Sequence, residues 1–165
     1  MVMKRGGGPA SRPSSTPAMG TDINGVFQRL DNATNIWHDV ESDYEQERNY
    51  LLFAVLAGVR NSYGLAPISC PRGFPADFAV IDSDCHPLTI PLKHVTFLPC
   101  GQGESNGFYM YMGDFSYSWL TGSEMLEWYK IAPQEVKGNV AVFFEEVERL
   151  VLMHGKIRFV FGFDS

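Results

Sequence analysis

Residues 45–61 read EQERNYLLFAVLAGVRN. From Tyr50 to Val59 this stretch is apolar on almost every side, and a helix with that pattern is buried over most of its surface. Acidic residues stand before the apolar run and Arg60 follows it, which suits the polarity of a helix dipole. The stretch therefore predicts a buried central helix against which the rest of the chain packs. Its predicted start and stop signals are Ser42, Asp43, Asn61 and Gly64.

The segment before this helix has the pattern of two strands. Residues 22–30 and 35–40 predict a β-hairpin with a turn at Asp31-Asn32. A short helix over 23–30 is the competing interpretation.

The end of the chain combines helix and strand patterns. Thr121 with Glu124 predicts a capping box at the start of a short helix. Residues 139–154 repeat apolar side chains at the helical period, and residues 156–163 alternate as a closing strand. The predicted fold is a single α+β domain. In this domain, the buried central helix and an amphipathic C-terminal helix pack against a mostly antiparallel sheet.

The middle of the chain is predicted to be mostly irregular. Prolines recur through residues 62–99 and exclude long helices there. Short strands are compatible with 78–81, 95–98 and 108–112. A long irregular segment within a compact domain is often functional.

Composition limits the class of protein. The chain has 165 residues, 45% of them hydrophobic, which suits one domain. Residues 1–20 are rich in Gly, Ser and Pro and are predicted to be a flexible arm, so that the domain spans 21–165. The net charge is −6, so direct nucleic-acid binding is not expected. No membrane span or secretory signal is expected, and the odd number of cysteines suits a reducing compartment.

The best candidate site lies where the central helix meets the proline-rich loop. Arg60 and Asn61 close the predicted helix, and Arg72 follows in the loop. Two guanidinium groups and an amide could hold a phosphate or a carboxylate. In the structural alternative, Arg60 serves the helix dipole. Arg72 then pairs with Asp77 or Glu47. The candidate ligand-binding residues are Arg60, Asn61, Arg72, Tyr63, Asp114 and Ser116.

Residues 82–86, DSDCH, bring two carboxylates, a thiol and an imidazole close together. They could form a small metal-dependent site. No EF-hand or zinc-finger spacing completes the set, and Asp-Ser-Asp is also common in turns. We therefore assign no metal and no cofactor. The residues of the alternative hydrolytic site are Asp82, Asp84, His86 and Asp114. The thiols expected to be buried or incidental are Cys70, Cys85 and Cys100.

Five stretches occur in a fixed order along the chain. They are DINGVFQRL at 22–30, YEQERNYLLFAVLAGVRN at 44–61, PISCPRGFP at 67–75, GDFSYSWLTGSEML at 113–126 and HGKIRFVFGFD at 154–164. Together they resemble a family of small proteins encoded by tailed bacteriophages. The resemblance covers residues 21–165 and implies a viral origin and expression inside a bacterial cell, but no activity. Family members often have histidines where Phe115 and Tyr117 stand, so chemistry that needs those imidazoles is not expected here.

The sequence and the resemblance together predict a non-enzymatic phage accessory protein that acts by binding in the host cytoplasm. Its partner would be a host protein or a nucleotide-like small molecule, and inhibition of a host defence system is the expected role. A small metal-dependent hydrolase or phosphodiesterase is one alternative, and a virion structural component is another. A monomer and a homo-oligomer are both compatible with the sequence.

Overall fold

The elements of the fold lie in residues 20–78, 80–81 and 110–165, which the computed structural model describes. The strands are β1 Asp22–Asp31, β2 Ile36–Asp39, β3 Val80–Ile81, β4 Met110–Tyr111, β5 Phe115–Thr121 and β6 Ile157–Asp164. The helices are α1 Tyr50–Ala57, α2 Gly122–Ile131 and α3 Gln134–His154. The predicted α+β class is confirmed. The strand predicted at 95–98 lies outside the described residues.

Four strands form one antiparallel sheet in the order β2-β1-β6-β5. The central pair, β1 and β6, places Phe27 opposite Phe159. β3 and β4 form a separate parallel pair. Because side chains alternate across a strand, every second residue of β6 enters the core on the helix side of the sheet. The predicted shared face of β6 is confirmed for Ile157, Phe159, Phe161 and Phe163.

The helix α1 lies at the centre of the core, as predicted. All residues from Leu52 to Ala57 are buried, and the Phe53 ring centre lies 5.1 Å from that of Phe163 on the sheet. The helix is shorter than predicted. It begins after Asn49, whose side chain accepts a hydrogen bond from the Leu52 N–H at 3.1 Å.

The predicted start and stop signals of α1 were wrong. The helix ends at Gly58, because this residue adopts a φ of 74° that favours glycine. Its end therefore precedes Asn61 and Gly64. At the other end, Ser42 does not cap the helix but donates a hydrogen bond to Glu146 of α3 at 2.5 Å. Glu146 is buried, although the helical pattern of residues 139–154 places it among the charged residues of the polar face.

Several local predictions are confirmed. β1 and β2 form the predicted hairpin, with Leu30 opposite Trp37. The competing prediction of a short helix over 23–30 was therefore wrong. The capping box of α2 is present: the Thr121 hydroxyl accepts from the Glu124 N–H at 3.2 Å, and Glu124 accepts from the Thr121 N–H at 2.8 Å.

The strand β5 was not predicted. It forms an outer strand of the sheet and contains an irregular register between Phe115 and Ser118. The proline-rich loop lies along it. The Gly73 N–H donates to the Tyr117 carbonyl at 2.8 Å, and the Arg72 N–H donates to the Ser118 hydroxyl at 3.1 Å. The loop therefore covers part of the β5 edge.

Candidate ligand-binding pocket

The face of the sheet that points away from the helices carries a second, smaller core. Val160 of β6 packs there with Phe78 and Met112, and Trp119 lies against this cluster. Trp119 stands opposite Val160 in the pairing of β5 with β6, which places both on this face. The hairpin adds a second indole on the same face, because Trp37 stands opposite Leu30 of β1.

A pocket of about 430 Å³ opens at the end of the sheet where β6 begins. Trp37 and Trp119 both line it, so each outer strand of the sheet contributes an indole. Lys156 is the cationic residue of the lining, and Thr121 and Ser123 belong to it at the start of α2. The volume lies within the range of small-molecule sites. The rest of the lining is Leu30, Val151, Gly155 and Ile157.

A buried guanidinium supports the Trp37 side of this tryptophan pocket. Arg158 is only 5% exposed and lies over the Trp37 ring, with its Cζ 4.3 Å from the ring centre. Its Nε donates to Gln28 at 2.8 Å and its Nη2 donates to Asp77 at 3.0 Å. Gln28 in turn donates to Asp39 of β2 at 3.0 Å. This network joins the hairpin, β6 and the proline-rich loop.

Two effects act in opposite directions on the protonation of Arg158. Burial lowers the pKa of its guanidinium, and the carboxylate of Asp77 acts to raise it. A buried charge of this kind requires hydrogen-bonded partners, and the structure provides them. The network is thus a structural support of the pocket wall.

The Trp119 side of the pocket is supported by Arg72. The guanidinium lies 4.8 Å from the Trp119 ring centre and donates to the Trp119 carbonyl at 3.1 Å. It also forms an ion pair with Glu124 of α2. Burial alone would raise the pKa of Glu124, but bonds from Arg72 and Thr121 outweigh burial and lower the pKa. Arg72 pairs with neither of the two carboxylates expected from the sequence.

The residues that line the pocket suit the binding of a small molecule. An indole provides a flat apolar surface on which a planar ring can stack, and Lys156 provides a positive charge for an anionic group. The hydroxyl of Ser123 can exchange hydrogen bonds with a polar substituent, whereas the hydroxyl of Thr121 is already bonded to Glu124. No group of three or more His, Cys, Asp or Glu side chains that could hold a metal ion occurs in the part of the chain that the structure describes.

Arg60 and Asn61, the site residues predicted at the end of α1, lie outside the tryptophan pocket. The Nε of Arg60 donates to the Thr21 hydroxyl at 2.8 Å, and its guanidinium lies 5.3 Å from the Tyr50 ring centre. The Asn61 side chain bonds both backbone groups of Leu65, at 2.6 and 3.0 Å, and so closes a tight loop. These two side chains therefore have structural contacts of their own.

The remaining predicted residues are distributed over the surface. Tyr63 is 52% exposed. Asp114 is also exposed, and its N–H donates to the Phe163 carbonyl at 2.6 Å. Ser116 has a φ of 53°, which is unusual for a residue with a side chain.

The sheet separates these residues into two groups. β5 runs from Phe115, opposite Phe163, to Thr121, opposite Arg158. Asp114 lies at the first end, where β1 begins and Arg60 bonds Thr21. Arg72 lies at the other end, beside the tryptophan pocket. Arg72 contacts β5 at Ser118 and Trp119, so it lies nearer to Ser116 than to Arg60 at the first end of the sheet. Asp82, Asp84 and His86 lie outside the described residues.

The chain was compared with family models, curated proteins and solved structures. No family model matches it, and no curated protein or solved structure matches it significantly. The phage resemblance therefore rests on the sequence motifs. Among the described helices, none combines the length and the apolar character that a membrane crossing requires.

Trp37 and Lys156 were not predicted as site residues, and the sequence left Trp119 open as a stacking surface or a core residue. Each lies in a different part of the chain, and only the strand register brings them together. One signal was available: residues 115–120 alternate aromatic side chains with serine or leucine, which is typical of a strand. Recognition of that strand would have placed Trp119 on one face of the sheet.

Proposed function

We propose that the protein is a phage accessory protein that binds a planar, anionic, nucleotide-like molecule in the tryptophan pocket. The observation that carries this proposal is the presence of two tryptophans and one lysine in the lining of a pocket of about 430 Å³. Stacking of a base on an aromatic side chain contributes about 1–3 kcal/mol. A contact between Lys156 and a phosphate would add charge pairing and orientation.

In the host cytoplasm, the protein would act by binding such a molecule and thereby removing a signal from the host. Nucleotide-like signals are small, anionic and planar in part, which is the chemistry that the pocket favours. A protein that sequesters the signal of a host defence system would need no catalytic group. A host protein remains the other proposed partner, and a metal-dependent hydrolase and a virion component remain alternatives.

The first test is a thermal shift series with mononucleotides, cyclic nucleotides and linear dinucleotides. A bound ligand raises the melting temperature because it stabilises the native state alone. We expect at least one member of the panel to stabilise the protein and to change the tryptophan fluorescence. Stabilisation by none of them would contradict the small-molecule proposal and favour a protein partner.

The second test uses two lysine variants. Lys156→Ala should weaken binding of the stabilising nucleotide about two- to fivefold, as expected for loss of one partly exposed ion pair. Lys130→Ala removes an exposed lysine near the end of α2 that does not line the pocket, so it serves as the matched control. Equal affinities of the two variants would contradict the assignment of the pocket.

A further inference from the structure

The outer surface of α3 carries large apolar side chains that are unusually exposed. Val142 is 72%, Leu152 82% and Met153 60% exposed. The opposite side of the same helix is buried against α1 and the sheet, for example at Val147 and Phe143. Single exposed apolar residues are common on protein surfaces, but three on one helix indicate an interaction surface.

These side chains belong to one continuous stripe. Val142, Glu145, Arg149 and Leu152 follow one another at intervals of three or four residues, and residues at such intervals share a face of a helix. Met153 extends the stripe at its C-terminal end. The stripe is therefore apolar at both ends and carries one acidic and one basic residue between them.

Two grooves flank Arg149 where α3 meets the segment that precedes α1. One groove, of about 250 Å³, is lined by Val142 and Tyr44 among others. The second groove, of about 440 Å³, is lined by Met153 and His154 among others. Arg149 lines both. Side chains projecting from a second helix would find a depression on either side of it.

We propose that this α3 stripe is the interface between two copies of the chain, with their α3 helices packed antiparallel. A twofold axis at the level of Val147 then places Val142 opposite the partner's Leu152. The same axis places Glu145 opposite the partner's Arg149. Each contact occurs twice, because a twofold interface uses the same patch on both subunits.

The charge pattern favours a second copy over an unrelated partner. In the antiparallel arrangement, every charge of the stripe meets its opposite and every apolar end meets an apolar end. A parallel arrangement would instead place Glu145 beside the partner's Glu145, which is unfavourable. The stripe is thus self-complementary in one orientation only.

Arg149 is already held in position for this contact. Its Nε and Nη2 donate to Glu146 at 2.7 and 2.8 Å. Glu146 is itself fixed by the Ser42 hydroxyl and the Asp43 N–H, at 2.5 and 3.0 Å. A guanidinium that is fixed before association loses less side-chain entropy when a further carboxylate approaches.

The interface should be small. The stripe from Val142 to Met153 spans about 16 Å along the helix axis. A contact of that length lies at the low end of specific interfaces, so we expect a reversible dimer rather than an obligate one. The proposal is independent of ligand binding, because none of the stripe residues lines the tryptophan pocket.

Sedimentation of the full chain from low micromolar to near-millimolar concentration tests the proposal. We expect a monomer–dimer equilibrium that Leu152→Glu shifts to the monomer. Ile131→Glu is the matched control, because Ile131 is 81% exposed but lies on α2 outside the stripe. A monomer at every concentration would overturn the proposal and leave the stripe to another partner. A dimer that persists in the Leu152→Glu variant would also overturn the proposal.

Cross-linking tests the orientation. A mixture of Val142→Cys chains and Leu152→Cys chains should form a disulfide-linked heterodimer under mild oxidation. Leu152→Cys chains alone should cross-link no more than the wild type, whose native thiols provide the background. Efficient cross-linking of Leu152→Cys chains with one another would overturn the antiparallel arrangement.

Discussion

The guanidinium of Arg158 lies 4.3 Å from the centre of the Trp37 ring and within 3.0 Å of the Asp77 carboxylate. One buried side chain of the central strand β6 thus contacts both an outer strand and the proline-rich loop. Gln28 completes the contact by accepting from Arg158 and donating to Asp39. The position of Trp37 in the pocket depends on this network.

The first prediction concerns Arg158 itself. Arg158→Met keeps an unbranched side chain that reaches only about as far as the arginine Nε and removes the charge, so that Asp77 and Gln28 lose this partner at a buried position. We expect the free energy of unfolding to fall by about 3 kcal/mol, the usual cost of breaking a buried pair. Urea denaturation measures it. Arg48→Met, at an exposed pair with Asp22, should have a much smaller effect. Equal losses at the two positions would contradict the structural role of Arg158.

The second prediction concerns the stability of the fold in acid. Hydrogen bonds from Arg149, Ser42 and Asp43 lower the pKa of Glu146 from 4.5 to about 2, although burial opposes them. The unfolded chain therefore binds a proton at Glu146 more readily than the native protein does. The stabilisation that this carboxylate provides is complete above pH 4.5 and should be lost as the pH falls towards 2.

Unfolding experiments at a series of pH values test this effect in the wild type and in Glu146→Gln. The variant cannot ionise at this position, so its stability should depend less on pH between 4.5 and 2. Glu148→Gln, which replaces an exposed glutamate two residues away and outside the α3 stripe, is the control. A Glu146→Gln variant with the wild-type pH profile would show that other carboxylates govern the acid sensitivity.

The third prediction compares two arginines that the sequence placed in one site. Arg72→Ala removes the support of Trp119 and the ion pair with Glu124. It should lower both the affinity for a pocket ligand and the stability, the latter by about 1 kcal/mol. Arg60→Ala should leave ligand affinity unchanged, because Arg60 lies at the other end of the sheet. Calorimetric titration of the pocket ligand into both variants measures the two affinities. A loss of affinity in Arg60→Ala would instead support the site predicted from the sequence.

The fourth prediction concerns two glycines. At Gly113, φ is 94°, and a Cβ atom would lie 2.3 Å from the Phe163 carbonyl oxygen. Gly113→Ala should therefore destabilise the protein by more than about 2 kcal/mol. Gly138→Ala is the converse case, because a Cβ there meets nothing within 4 Å and alanine favours the helix by about 1 kcal/mol. Thermal denaturation should move in opposite directions for the two variants.

Local signals were sufficient for much of the fold. The apolar run of α1, the capping box of Thr121 and Glu124, and the alternation in β6 depend on neighbours within a few residues. Such patterns can be read from one sequence. The start of α1 was misplaced because two caps competed: Ser42 and Asn49 are both good N-cap residues, and only the distant Glu146 decides that Ser42 is used elsewhere.

The candidate site required contacts that the sequence does not contain. Trp37 and Trp119 are separated by about half of the chain, and strand pairing alone brings them to one pocket. The predicted partner of Arg72 was wrong for a similar reason, since Arg72 reaches Glu124 only because the proline-rich loop packs along β5. The burial of Arg158 was equally hidden, because an alternating strand does not show which face another segment covers.

The loop along β5 has a consequence for solubility. The unpaired backbone groups of an outer strand are a template on which a second chain can add by strand pairing and begin to aggregate. The Gly73 N–H occupies the backbone carbonyl of Tyr117, and the Arg72 N–H holds the loop in place by bonding the Ser118 hydroxyl, so the loop blocks part of this template. The other outer strand, β2, has only four residues. The sheet is therefore a poor seed for fibres, and a variant that releases the loop, such as Arg72→Ala, should precipitate more readily on heating than its loss of stability alone would predict.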